Sequence, residues 1–199
     1  MEPHLRPGDA LLIVDVQNDF CAGGSLAVPE GDAVVPVANR WIAAARRAGV
    51  PVYASRDWHP AGHASFRQRG GPWPPHCVQH TRGAEFHPAL ELPPGAPIIG
   101  KGADPDRDGY SAFDRTDLAA RLRAQGVRRL WVGGLALDYC IRATVLDALG
   151  EGFAVHLIRA ATRAVEAHPG DGDRALAEMR AAGAVIEEEE KDVAKRVGR

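Results

Sequence analysis

Residues 10–16 read ALLIVDV, a near-continuous apolar run too short for a buried helix and bounded by polar residues. Such a run fits a strand covered on both faces, which requires helices above and below a sheet. The rest of the chain supplies them in alternation. DAVVPVANRWIAAARRA (32–48) repeats apolar positions at helical spacing, with Asp32 a candidate N-cap and Gly49 a candidate stop. PVYAS (51–55) predicts a strand, and a Pro-, Gly- and His-rich irregular segment follows over about 57–96. PIIGK (97–101), VRRLWVGGL (127–135), FAVHLIR (153–159) and AVIEE (184–188) predict further strands. Helical patterns occupy 114–125, 139–149 and 171–182, the first two closed by Gly126 and Gly150. The expectation is an α/β fold: a single-domain, parallel, Rossmann-like three-layer sheet of about six strands with right-handed crossovers. One domain is expected over 1–199, with 189–199 a frayed, solvated tail.

Composition narrows the partners. A formal net charge of -2 gives no electrostatic case for nucleic acid or a membrane surface. No apolar run approaches the roughly 18–20 residues of a membrane span. The N-terminus lacks a basic region followed by a signal-type apolar core. Three irregularly spaced cysteines, Cys21, Cys77 and Cys140, argue for reduced thiols rather than a disulfide framework. A cytoplasmic protein is expected, with its oligomeric state open to homo-oligomers.

In open α/β sheets, ligands sit beyond the carboxyl ends of the strands. The polar residues that fall there are Asp15, Asp57 with His59, Lys101, and Asp138 to Cys140. Cys140, at a strand-to-helix junction, gains from the helix N-terminus a lowered thiol pKa and nearby N–H donors. Taken alone it also reads as a buried small hydrophobe. Asp15 follows an apolar strand, which would raise its pKa toward that of a general acid/base; a turn role is the plainer alternative. Lys101 ends a strand predicted to be buried, where a cation would hold Asp15 ionised and favour a thiolate.

RDWHPAGH (56–63) places Asp57, His59 and His63 within one loop, and His76 follows in GGPWPPHCVQHT. Asp and His from an irregular segment suit an open site for Zn, Fe or Mn, though no strong motif such as HExxH is present. Turn or capping roles stay open for each. CAGGSLAV (21–28) lacks a dinucleotide or phosphate-loop pattern and reads as a tight turn.

Five blocks in order, DVQNDFCAGGSLAV, SRDWHPAGHASF, GGPWPPHCVQHTRGAEF, KGADPDRDGYSAFD and GGLALDYCIRAT, resemble the nicotinamidase (pyrazinamidase) family of isochorismatase-like hydrolases. The resemblance runs from about residue 10 to about 165. It implies the isochorismatase-like hydrolase fold and a catalytic triad of Asp15, Lys101 and Cys140. It implies one divalent metal, zinc first with iron or manganese as alternatives, held by Asp57, His59 and His76. His63 is implied as a ligand or an outer neighbour. A cis peptide at Leu135–Ala136 and an oxyanion hole from the Ala136 and Cys140 N–H groups are implied too. Phe20, Trp73, Tyr110 and Leu135 match substrate-binding positions. The implied substrate is nicotinamide, with pyrazinamide a further one, and the product nicotinate feeds NAD salvage. Leu137 departs from the family's usual Thr beside the nucleophile. Three rivals remain at this level: a carbamoyl-amide hydrolase with the same triad, a zinc-water hydrolase, and a non-catalytic scaffold.

Overall fold

The computed structural model describes residues 4–188. The 189–199 tail lies outside the described residues. Six strands form one sheet in the order β3-β2-β1-β4-β5-β6, with every neighbouring pair parallel. They are β1 (Asp9–Val14), β2 (Val52–Asp57), β3 (Ile98–Lys101), β4 (Arg129–Leu135), β5 (Ala154–Arg163) and β6 (Val185–Glu187). The helices are α1 (Val34–Ala48), α2 (Leu118–Ala124), α3 (Arg142–Gly150) and α4 (Asp171–Ala181).

Side chains alternate across a strand, so β1 feeds two cores. Ala10, Leu12 and Val14 pack with Leu118 and Leu122 of α2, Val145 of α3, and Leu176 and Met179 of α4. Leu11 and Ile13 pack on the other face with Val34, Ala38, Trp41 and Ile42 of α1. Every residue of β1 is buried, as the apolar run requires. Each of its large side chains is worth about 1.5–3 kcal/mol of burial. The order reverses between β1 and β4, and that switch point opens the crevice where the polar residues gather.

Local departures from the sequence expectations have identifiable causes. Helix α1 begins at Val34 rather than Asp32, because residues 31–33 form a 3-10 turn. Asp32 does not cap α1; its Oδ2 accepts from the Ala22 N–H at 2.8 Å. Gly49 does end the helix, with a left-handed φ of 65°. The predicted 114–125 helix is cut to Leu118–Ala124, since Arg115 adopts φ 55°, which no helix accommodates. Strand β2 runs on through Arg56 and Asp57, so the irregular segment starts one residue later than expected. Strand β5 continues to Arg163 past a register shift opposite Val132 and Gly134. The Cys140 segment is a π-helical turn, Leu137–Ile141, that leads into α3.

Candidate active site

Strand register builds the centre. Asp57 and Lys101 are direct partners across β2 and β3, and Val14 pairs with Ser55 across β1 and β2. Asp15 follows β1 with φ 49°. The turn after β4 carries Cys140 over the same edge. Gly134 makes the approach of β4 to β1 possible: at φ 131°, a Cβ there would stand 2.0 Å from the Val14 carbonyl oxygen.

The Lys101 ammonium is the hub. Its Nζ lies 2.8 Å from Asp15 Oδ2, 2.5 Å from Asp57 Oδ1 and 3.3 Å from Cys140 Sγ. It also donates to the Gly109 carbonyl at 3.3 Å. Ser55 Oγ donates to Asp15 Oδ1 at 2.7 Å. Asp15 Oδ2, though within ion-pair distance of Lys101, is out of line for a hydrogen bond and keeps a lone pair for the neighbouring thiol. All three side chains are buried.

Burial sets the protonation states. It pushes the Asp15 carboxyl up against the opposing pull of Lys101, and Asp57 adds to the rise. For Asp57, burial also acts upward, but Lys101 and then His59 outweigh it and hold the carboxyl low. Lys101 is held firmly charged: Asp15 and Asp57 overcome the opposing effect of burial. The Cys140 thiol is pushed well up by burial, with Lys101 opposing and the two carboxylates reinforcing. The thiol lowering expected from a helix N-terminus is therefore corrected. The enclosed site between two carboxylates outweighs the helix end and favours the protonated thiol.

Beside this centre, Asp57, His59 and His76 offer ligand atoms that all lie within 4.8 Å of one another, and all three are buried. Both imidazoles are oriented from behind. His59 Nδ1 donates to the Gly102 carbonyl and His76 Nδ1 to the Pro74 carbonyl, each at 2.8 Å. A carbonyl only accepts, so each ring carries a proton on Nδ1, which leaves Nε2 as the atom available to a metal; His59 Nε2 lies 3.5 Å from Asp57 Oδ2. This outer support is what a metal-ligating histidine requires, and the set fits a divalent cation with open positions. Gln17 holds the Asp57 backbone, accepting from its N–H and donating to its carbonyl, both at 2.8 Å.

His63 is placed otherwise. Its Nδ1 meets Ser65 Oγ at 2.7 Å and its Nε2 donates to the Arg107 carbonyl at 2.9 Å. With both nitrogens engaged, it stacks on His59 at 4.2 Å between ring centroids and stands behind the ligand set.

A narrow cavity leads to Cys140. Phe20, Trp73, Tyr110 and Tyr139 give it aromatic walls, with Leu26 and Val165 at the sides and Ala136 next to the sulfur. Trp73 Nε1 donates to the Tyr110 hydroxyl at 3.0 Å, which fixes both rings. Asp57 and His76 open onto the same space. The Leu135–Ala136 peptide is cis. Leu135 is not on the cavity wall; it is fully buried in the core against α1. Leu137 is likewise buried in the opposite core, close to Gly172 of α4. Sequence reasoning missed Leu26, Val165 and Tyr139 as lining residues. Tyr139 was available as the neighbour of Cys140, whereas Leu26 and Val165 sit in loops without a distinguishing pattern.

The arrangement sets a thiol and a cation-type donor set against one narrow, aromatic-walled cavity. The chain is 46% identical over 201 residues to the nicotinamidase of Escherichia coli K12, covering 90% of this chain and 94% of that protein. It is 40% identical over 181 residues to the nicotinamidase/pyrazinamidase of Mycobacterium tuberculosis H37Rv, covering 87% and 95%. The crystal structure of Pyrococcus horikoshii pyrazinamidase in complex with zinc superposes with a TM-score of 0.87 at 50% identity, covering 92% of this chain and 99% of that one. The isochorismatase domain matches residues 9–190, and the chain belongs to the isochorismatase family.

Proposed function

We propose that this protein is a nicotinamidase, a metal-dependent cysteine amidohydrolase that converts nicotinamide to nicotinate and ammonia. One observation carries the reading: a single buried ammonium, Lys101, touches the Asp15 carboxylate, the Cys140 sulfur and the Asp57 carboxylate of the metal-type set. The likeness to the Escherichia coli enzyme over nearly the whole chain supports the substrate. Pyrazinamide, a ring of the same shape with an amide at the same place, is a second substrate.

The mechanism follows from protonation states. Cys140 rests as a thiol beside Asp15, so the base acts as the bond forms rather than beforehand. Asp15 takes the thiol proton while the sulfur attacks the amide carbonyl carbon. The Ala136 and Cys140 N–H groups receive the oxyanion. Asp15 returns the proton to the amide nitrogen, the C–N bond breaks, and ammonia leaves. Asp15 then takes a proton from water as it attacks the thioester, and the Cys140 sulfur departs and recovers that proton. Lys101 stays charged throughout and keeps Asp15 in reach of its ionised form. Asp57, His59 and His76 would hold a divalent ion, with zinc the first choice. Bound there it supplies a Lewis-acid partner for the ring nitrogen, which fixes the amide over the sulfur. Phe20, Trp73, Tyr110 and Tyr139 sandwich the ring.

The test is ammonia release from nicotinamide and from benzamide, which lacks the ring nitrogen. Wild type is expected to turn over nicotinamide well and benzamide poorly. Equal rates on the two, or an inactive wild type after zinc loading, would overturn the reading.

A further inference from the structure

The fold groups a second set of metal-type side chains apart from the Asp57, His59 and His76 set. Cys21, Asp32 and His87 come from three separate segments, and their ligand atoms all lie within 4.8 Å of one another. We propose that these residues form a second metal site, for a borderline-soft divalent cation of the zinc class bound through one thiolate, one carboxylate and one imidazole.

The backbone fixes each segment before any ion arrives. Cys21 N donates to the Asn18 carbonyl at 3.1 Å, closing a 3-10 turn. Val28 N donates to the Phe20 carbonyl and Gly31 N to the Val28 carbonyl, which sets the turn that carries Asp32. His87 N donates to the Val16 carbonyl at 2.9 Å, anchoring the third ligand beside β1. Asp32 Oδ2 accepts from Ala22 N at 2.8 Å, leaving Oδ1 turned to His87 Nε2 at 3.3 Å. This carboxylate is thus already oriented by a backbone N–H, the outer support that metal ligands need.

The chemistry of the set selects the ion. Sulfur, nitrogen and oxygen donors together suit zinc-like cations and disfavour calcium or magnesium, which prefer oxygen alone. Tetrahedral zinc bonds of about 2.0–2.3 Å require donors about 3.3–3.8 Å apart, so closing the set takes side-chain shifts of about 1 Å. Without an ion, Cys21 is buried next to a carboxylate, and its thiol is pushed up to about 11 by that burial and by Asp32. On binding a cation, the thiol proton is released to solvent. Coordination through His87 Nε2 places the ring proton on Nδ1. It thereby replaces the 3.2 Å contact in which Ala89 N donates to Nδ1. The remaining position stays open to water, on the side where Asp32 and His87 reach the surface. Cys21 directly follows Phe20, a wall of the substrate cavity, so the ion would clamp the segment that carries that wall. None of this depends on the nicotinamidase reading.

Cobalt(II) titration of the chelator-treated full chain tests the site, because a thiolate bound to cobalt gives a near-ultraviolet charge-transfer band. The Asp57, His59 and His76 set contains no thiolate and cannot produce it. The band is expected in wild type, in Cys140→Ala and in Asp57→Ala, together with one equivalent of cobalt beyond the Asp57 site. It is expected to vanish, with loss of that equivalent, in Cys21→Ser and in His87→Ala, each checked for native circular dichroism. Absence of the band in wild type would overturn the proposal, whatever the variants do. So would its survival in Cys21→Ser, or its loss in Cys140→Ala, which would move the thiolate to the reaction centre.

Discussion

Lys101→Met is the sharpest perturbation of the centre, because it removes one charge and keeps most of the buried stem. The wild-type ammonium stands 2.8 Å from Asp15 and 2.5 Å from Asp57. At an effective dielectric of about 20, those separations correspond to about 6 and about 7 kcal/mol of attraction before desolvation is counted. Desolvation offsets much of this, so the loss in stability on leaving two buried carboxylates unpaired is about 3–5 kcal/mol. For a chain of this size that lowers Tm by about 6–20 °C. The chemical consequence follows from the direction already set. Burial and Asp57 push the Asp15 carboxyl up, and Lys101 is the group that restrains it. Without Lys101 the Asp15 carboxyl rises further and accepts the Cys140 proton less readily. Loss of a positioned general base costs about 10²–10⁴ in rate. The assay is kcat/KM for ammonia release from nicotinamide across pH, with thermal denaturation of the same samples. The acid limb should move to higher pH as activity falls. A variant that kept kcat/KM within tenfold of wild type, with an unmoved acid limb, would refute the hub role of Lys101.

Other outcomes follow from separate parts of the molecule. Asp57→Ala and His76→Ala should each lose zinc at the reaction centre by equilibrium dialysis, together with turnover of nicotinamide. His63→Ala should retain that zinc, since its ring faces Ser65 and Arg107. Gly134→Ala should fail to give folded protein or lose more than about 10 °C in Tm, because the new Cβ meets the Val14 carbonyl at 2.0 Å. Asp9 is buried and accepts from Arg129 at 2.8 and 2.6 Å, from Trp131 at 3.2 Å and from Arg6 N at 2.9 Å. Burial pushes its carboxyl up, but Arg129 and these hydrogen bonds prevail and lower it. A lowered folded-state value means stability present above the unfolded value near 3.9. It is lost as pH falls through the folded one. Asp9→Asn should therefore cost about 2–4 kcal/mol at neutral pH. Its Tm should also depend less on acid than that of wild type.

Much of this was legible before any coordinates. The apolar runs at 10–16 and 127–135 identified the two central strands, since burial on both faces leaves little room for polar residues. The residues just past the strand ends identified the centre, since parallel strands point their carboxyl ends one way. Helix and strand ends were less legible. Arg115 breaks a pattern that reads as helical, and nothing in its side chain announces a left-handed backbone. Asp32 reads as a cap, yet its tertiary partner Ala22 takes it away from α1. The Cys140 expectation failed for a related reason: local position argues for a lowered thiol, while the rise comes from burial and from Asp15 and Asp57, distant in sequence. Leu26 and Val165 line the cavity through loop placement alone.

The central claim is a covalent acyl-Cys140 intermediate, and hydroxylamine partitioning tests it most directly. With nicotinamide and hydroxylamine together, wild type should release ammonia while diverting the acyl group from nicotinate to nicotinohydroxamate, and Cys140→Ala should yield neither product. Ammonia release from Cys140→Ala at the wild-type rate, with no hydroxamate from either protein, would contradict the account and move the attack from the thiol to a water.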